Sequence, residues 1–473
     1  MKSLLRKVDT SVWMLFVLFA AVFGSHLTTL PSLMGDEGSE GENVYQLLQA
    51  DSITLMGERS YIGVLIDYVR VPFVWLLGYT TLAIRLPMYL FMVATFWLAA
   101  YVLKKLLPPE AVPLALVGIF FSPIFLTHQR FAWAASLFPF FVFFVLFFIW
   151  REKRNSPLFA GLAAGFGLAN HILFLPTLVG LAASVLARGP LVWRKLMLWW
   201  PALVGFWAGF AVQAVMLLTQ RDDQGDIEAA TELVSQRWHD LPLLLPHILS
   251  GSSFVAQYTG QSFSYWVMNG IMICLGFLVM ASLLVVRRRP SLWLSFVWLV
   301  VYVPALLWMI DRFSLRYFVM LGIWVWMMAG IGLAELVRLL PIRVQLKRWL
   351  PVGVAVGLSS WMVFILYAPY FSSGGSTGTF SLGNRVDSSS ALVDTRPLLR
   401  CIAGKGPIFS ENVHIYNRLL YLSHSDGRLL VASEDDKGQA KLLVSYRLPA
   451  DATFEREGEL CPELEHFKVT SRN

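Results

Sequence analysis

The chain has 473 residues, of which 56% are hydrophobic and only 15% charged. An ordinary soluble domain is about 25% charged, so this composition excludes a water-soluble enzyme, a disordered chain and a disulfide-dense miniprotein, and predicts a protein that crosses a bilayer many times. The formal net charge of +7 then reads first as a statement about cytoplasmic loops, with no nucleic-acid partner implied.

A spanning helix needs roughly 20 mostly apolar residues. About eleven runs meet that description, near 12–31, 81–102, 111–127, 133–150, 157–171, 172–187, 196–219, 263–286, 291–310, 317–339 and 349–369. The first is basic in front, but no small-residue cleavage site stands out and further spans follow, so it reads as a retained anchor. The fifth and sixth form a tight hairpin around Asn170 and His171. Basic residues gather in alternate loops: Lys2, Arg6 and Lys7; Lys104 and Lys105; Arg151, Lys153 and Arg154; Arg188, Arg194 and Lys195; Arg287, Arg288 and Arg289; Arg343, Lys347 and Arg348. Only Asp9, Glu110 and Glu152 oppose them on that side. The asymmetry puts the N-terminus in the cytoplasm, and an odd number of spans puts the C-terminus outside.

The membrane part therefore covers 1–370, with long outer loops at 32–80 and 220–262, and 371–473 forms a separate outer unit. Ser372-Ser373-Gly374-Gly375 near its start has a flexible linker composition. Beyond it, short β-like runs at Pro407–Ser410, Leu429–Ala432 and Leu442–Tyr446 alternate with helical patterns at Ser389–Ala403 and Val413–Leu422. The fold class is a polytopic α-helical membrane protein of about eleven spans with a small C-terminal α/β extracytoplasmic domain. Cys274 lies in a span and reads as a small buried apolar residue. Cys401 and Cys461 both lie in the outer unit, where an oxidising compartment makes them a disulfide candidate. No CxxC or HExxH pattern marks a metal site.

The first outer loop opens with Gly35-Asp36-Glu37-Gly38-Ser39-Glu40-Gly41-Glu42. A carboxylate at the membrane surface can act as general base towards a hydroxyl, or hold a divalent metal against a phosphate. The competing reading is a solvated acidic loop in which Ser39 and Glu42 cap a following helix. Tyr61 to Tyr79 is amphipathic, with Asp67 and Arg70 among aromatic and aliphatic residues, and suits an interfacial helix. Arg85, Arg130 (near His128), Arg312 and Arg316 fall at outer span ends, against the inside rule. They suit a lipid phosphate, and the alternatives for each are snorkelling or pairing with Asp311 or the acidic loop. His171 sits at the outer tip of the hairpin and is open to a structural or a substrate role.

Several stretches together have a familiar order: Asp36-Glu37 after the first span, GYTTLAIRLPMYLF opening the second, FFSPIFLTHQRFAWAASLFPFFVFF through the third and fourth, FAGLAAGFGLANHILFLP, and DRFSLRYFVMLGIWVWMMAGIG. This order resembles the GT-C superfamily of membrane glycosyltransferases, in particular the protein mannosyltransferase and aminoarabinose transferase group, over about 1–370. The resemblance implies a polyprenyl-phosphate sugar donor, a lipid, glycan or protein acceptor, and no nucleotide sugar. It implies Asp36 as the catalytic carboxylate with Glu37 beside it. Arg130, Arg316 and Tyr317 match positions near the lipid phosphate, His171 matches a position often held by Lys or His, and Arg85 matches a family Arg. With nothing in the sequence suggesting a eukaryotic retention signal, a bacterial inner membrane location is expected. One departure stands out. Relatives often carry an acid shortly after the Arg matching Arg130, whereas here the run is Arg130-Phe131-Ala132-Trp133-Ala134-Ala135-Ser136. Its loss leaves a divalent metal an open possibility, with Asp222, Asp223, Asp226 and Glu228 of the second long loop as substitute acids. It also keeps a non-catalytic scaffold with the same fold as an alternative. A transporter is a third reading, but the expected inverted repeats and midplane charges are missing.

Overall fold

The computed structural model describes residues 10–29, 33, 35–50, 62–122, 125–126, 129–151, 153–186, 200–219, 238, 241–242, 245–250, 252, 265–288, 290–309, 315–341, 350, 352–357, 359–360, 380–382, 385–387, 396–410, 412–425, 430–432, 440–446, 461 and 467–471. Before the tail, the described residues include twelve helices of ten residues or more. They are α1 (Thr10–Gly24), α2 (Gly35–Gln49), α3 (Leu65–Leu77), α4 (Thr81–Leu106), α5 (Ala111–Phe120), α6 (Phe138–Arg151), α7 (Ser156–Asn170), α8 (Leu175–Leu186), α9 (Trp200–Thr219), α10 (Tyr265–Arg288), α11 (Pro290–Met309) and α12 (Val319–Leu339). Short 3-10 turns at Ala134–Leu137, Ile172–Phe174 and Leu315–Phe318 lead into α6, α8 and α12. Four of the helical stretches are long and apolar enough to cross a membrane: Thr81–Leu106, Ala134–Arg151, Trp266–Leu283 and Val319–Leu339. Shorter apolar helices run through Thr10–Gly24, Ala111–Phe120, Ile172–Ser184, Trp200–Val215 and Phe296–Met309. Most of the run at 349–369 lies outside the described residues.

The apolar sequence explains the helices but not how they pack, because lipid tails are as apolar as leucine. Two devices supply the packing. The first is aromatic interlock. Phe19 of α1 meets Phe96 of α4 and Phe120 of α5 at ring distances of 5.6 and 5.0 Å, and Phe120 meets Phe125 at 4.9 Å. Val12, Leu15, Phe19 and Phe23, three or four residues apart, form the buried stripe of α1 that makes this contact. The second device is small residues at helix crossings. Gly161 and Gly165 of α7 face the backbones of Ala202 and Phe206 in α9, and Gly205 of α9 faces Leu158 of α7. Gly118 and Gly330 do the same between α5 and α12, and Gly332 meets the backbone of Leu278 in α10. Any side chain at these positions would overlap main chain, so glycine is required there for close approach.

Helix ends follow local chemistry. Thr80 caps α4 by accepting the amide of Ala83 at 3.2 Å. Lys104 and Lys105 lie in its last turn, where the helix dipole favours cations. α3 exposes Trp75, Leu76 and Leu77 while burying Ile66, Asp67, Arg70 and Val74, which is the amphipathic division expected for this stretch. Cys274, expected to be buried, is instead exposed on α10. Span membership does not decide which side of a helix faces the protein, and Cys274 falls on the outer side.

In the tail, β1 (Phe380–Leu382) and β2 (Arg385–Asp387) form an antiparallel pair. They are followed by α13 (Arg396–Ile402), β3 (Pro407–Phe409), α14 (Val413–Ser423), β4 (Leu430–Val431), β5 (Leu442–Tyr446) and β6 (Phe467–Ser471). The sheet order is β4-β3-β5-β6, parallel except for the β5–β6 pair. Leu398, Ile402, Ile408, Ile415, Leu419, Val444 and Val469 fill its core. Cys401 and Cys461 are joined in a disulfide beside that core.

Gly205→Leu is expected to force α7 and α9 apart and to cost about 1–3 kcal/mol through overpacking. The measurement is the midpoint of thermal unfolding in detergent. Gly276→Leu is the control, because among the described residues nothing lies within 4 Å of a Cβ added to that glycine of α10. Equal midpoints for the two variants would contradict the close-approach account.

Candidate active site

The acids of the first outer segment are helical from Gly35 onwards. α2 begins one turn earlier than a Ser39 cap requires, so the capping-box expectation fails. Nor are these acids solvated: Asp36, Glu37 and Glu40 are all buried. The reason is that each of the two glutamates meets an arginine. Glu37 forms a two-point pair with Arg85, Nε to Oε1 at 2.8 Å and Nη2 to Oε2 at 2.6 Å, and both side chains are 0% exposed. Arg85 also donates to the Leu27 carbonyl at 3.1 Å. Arg70 Nη1 forms an ion pair with Glu40 Oε2 at 2.6 Å and donates to Asp67 Oδ1 at 2.7 Å. The Asp67–Arg70 spacing of three residues places both on one face of α3.

These groups converge on the backbone of a single segment. The amide of Ala132 donates to Glu37 at 2.5 Å, and its carbonyl accepts from Arg70 at 2.7 Å. The amide of Ala134 donates to Glu40 at 3.0 Å, and its carbonyl accepts from Asn170 at 2.6 Å. Asn170 in turn accepts the Gly63 amide through its own carbonyl, and the neighbouring His171 bridges to Ile62. Segment 130–136, whose side chains looked chemically blank, is thus held by its main chain from α2, α3 and α7.

The remaining sequence-derived candidates divide into groups. Arg130 donates to the carbonyls of Val22 (3.1 Å), Phe23 (2.9 Å) and Ser25. It therefore caps the C-terminal end of α1, where the helix dipole is negative. His171 is buried, accepts the Leu173 amide through Nδ1 at 3.1 Å, and starts the 3-10 turn before α8. Trp133 lies between His171 and Tyr317, at ring distances of 5.6 and 6.2 Å, so the structure brings those two candidates to one aromatic group. Arg316 is adjacent in the 3-10 turn Leu315–Phe318, and its side chain lies outside the described residues. His128, Asp222, Asp223, Asp226, Glu228, Asp311 and Arg312 also lie outside them. Sequence reading named Glu40, Asp67, Arg70 and Asn170 in passing but gave them no role. The i,i+3 Asp67–Arg70 spacing was the one available signal.

Among the described residues no three His, Cys, Asp or Glu side chains converge as a metal site. Glu37 and Glu40 commit oxygens to arginines and amides.

Electrostatically, the Glu40–Asp67 pair shares one guanidinium. Burial pushes Glu40 up, partly offset by Arg70. Burial also pushes Asp67 up, to about 7, against the opposing pull of Arg70 and with help from Glu40.

No family model and no curated relative matches the chain. Solved structures do match. ArnT from Cupriavidus metallidurans, bound to undecaprenyl phosphate, is 14% identical with a TM-score of 0.54, covering 93% of this chain and 94% of that one. The same protein in the apo state gives 16% identity and a TM-score of 0.51. The apo oligosaccharyltransferase of Archaeoglobus fulgidus is 12% identical with a TM-score of 0.52, covering 92% of this chain and 69% of that one. The chain therefore shares the fold of these solved membrane proteins. The match to ArnT covers nearly the whole of both chains.

Two outcomes follow. Arg85→Met strands the buried Glu37 and is expected to cost about 3–5 kcal/mol, most of it recovered in Arg85→Met/Glu37→Gln; a double-mutant cycle on unfolding midpoints reads this directly. Asp67 binds its proton more tightly folded than unfolded, since its pKa rises from 3.8 to about 7. Its contribution to stability is fully present below about pH 4 and is lost as pH rises through about 7. Glu40 shifts in the same direction. Asp67→Asn should flatten the decline in melting temperature across that window; an unchanged slope would refute the assignment.

Proposed function

We propose that the chain is an integral membrane glycosyltransferase that transfers a sugar from a polyprenyl-phosphate donor to an acceptor hydroxyl at the outer face of a bacterial inner membrane. In this reading about eleven spans form the membrane part, the N-terminus is cytoplasmic, and 371–473 is an extracytoplasmic α/β domain. The observation that carries it is the buried first turn of α2, with Asp36 next to the Glu37–Arg85 pair, on a fold shared end to end with a protein bound to undecaprenyl phosphate.

Asp36 is the base. Its carboxylate takes the acceptor hydroxyl proton as that oxygen attacks the anomeric carbon. The bond from that carbon to the phosphate oxygen breaks, and the lipid phosphate leaves with the electron pair. Its charge needs a cation and hydrogen-bond donors. Arg316 and Tyr317 supply them, with His171 across Trp133. Glu37 and Arg85 neutralise one another and hold α2 in place. Arg130 fixes α1 rather than the phosphate.

A second reading is supported by the run Phe131 to Ser136, which carries no acid. In that reading the fold binds polyprenyl phosphate without turnover. Asp36→Asn separates the two. Loss of a proton acceptor is expected to reduce transfer by about 100-fold or more, with undecaprenyl phosphate binding and protein level unchanged. Undiminished transfer by Asp36→Asn would remove Asp36 as base. Undecaprenyl phosphate binding with no turnover of any lipid-linked sugar by the parent protein would favour the scaffold.

A further inference from the structure

We propose that the tail acts as a clamp on the site, and that Arg418 is its positioning residue, holding α2 and Asp36 in register with the membrane helices. The consequence for catalysis rests on the assignment of Asp36 as base; the clamp geometry does not.

α14 touches each segment that places Asp36. Arg418 is 0% exposed and donates from Nη1 to the Leu33 carbonyl at 3.3 Å, two residues before α2 begins. α14 then lies along the glycine face of α2. A Cβ at Gly38 would meet the Asn417 carbonyl oxygen at 2.8 Å and the Arg418 amide nitrogen at 2.9 Å, and one at Gly41 would meet the Tyr421 ring at 2.6 Å. Residues three apart share a helix face, so Gly38 and Gly41 form one flat seat. A helix interior normally disfavours glycine against alanine. Two such residues in α2 have a physical reason once α14 occupies the space. At its far end Tyr421 donates to the carbonyl of Thr80 at 3.0 Å, and Ser425 donates to that of Tyr79 at 3.1 Å. Thr80 caps α4, the helix that carries Arg85. His424 pairs with Glu42 at 2.7 Å while its ring stacks on Tyr45 at 3.6 Å.

The Glu37–Arg85 pair is therefore bracketed. α14 holds the helix that bears Glu37 and the cap of the helix that bears Arg85. Asp36 precedes Glu37, so its position depends on both restraints. A freely tethered tail would leave the carboxylate end of α2 held by its arginines and by the amides of Ala132 and Ala134, with nothing against its glycine face.

The test uses the full chain in nanodiscs and backbone amide exchange, with undecaprenyl phosphate as the binding probe. Arg418→Met, and separately Gly41→Leu, are expected to speed exchange in 35–49 by about 10-fold or more, with undecaprenyl phosphate affinity retained. If transfer is measurable, kcat falls while KM for the lipid donor holds, which a general loss of folding would not produce. Exchange in the tail strands at 442–446 and 467–471 reports whether the tail itself survives. Should Arg418→Met unfold it, Gly41→Leu decides, because that change lies on α2. Unchanged exchange in 35–49 for Gly41→Leu overturns the clamp. Failure of the parent protein to bind undecaprenyl phosphate would sink the functional reading alone, since the exchange result is independent of it.

Discussion

Two buried carboxylate–arginine contacts, Glu37 with Arg85 and Glu40 with Arg70, are what the rest of the structure depends on. Ionised groups leave water only when paired and hydrogen-bonded, and removing one partner exposes the full desolvation cost of the other. That cost ties α2, α3 and α4 into one arrangement. The same groups also bind the amides of Ala132 and Ala134 and the carbonyl of Ala132, while Asn170 takes the carbonyl of Ala134. A cluster that would repel itself in isolation thereby becomes a rigid frame, and Asp36 is placed at its edge.

The membrane helices supply the other half of that rigidity by different physics. Burying apolar surface gives no advantage in lipid, so close packing has to come from shape. Glycines at the α7–α9, α5–α12 and α10–α12 crossings bring backbones together, and the phenylalanines of α1, α4 and α5 interlock. Arg130 joins the two systems by holding the last carbonyls of α1. An arginine that runs against the inside rule thus has a structural partner inside the protein. The same is true of Arg85.

The missing acid after Arg130 takes on a different meaning in this setting. Segment 130–136 contributes its backbone there, and the carboxylates and their arginines come from α2, α3 and α4. Alanines at 132 and 134 are compatible with that task because a main-chain amide or carbonyl needs no particular side chain. The aromatic pair Trp133 and Tyr317, with His171 opposite, marks where the donor's phosphate end would lie in the proposed reaction.

By itself the sequence determined the class of protein and most of its helices. Apolar runs predicted α4, α6, α7, α8, α10, α11 and α12 to within a few residues, and short β patterns predicted β3, β4 and β5. Those signals are local, since hydropathy and strand alternation can be read one segment at a time. The pairing of Cys401 with Cys461 was legible for a similar reason, with only two cysteines in the tail. What the tertiary structure decided was every partnership across long separations. Examples are Glu37 with Arg85, Glu40 with Arg70, Arg130 with α1, and Arg418 with Leu33. The acidic run looked like a solvated loop because spacing cannot show that an arginine 48 residues away will offset the burial of a carboxylate. The glycines at 38 and 41 likewise looked like loop residues, because nothing local reveals the helix from the tail that fills the space beside them.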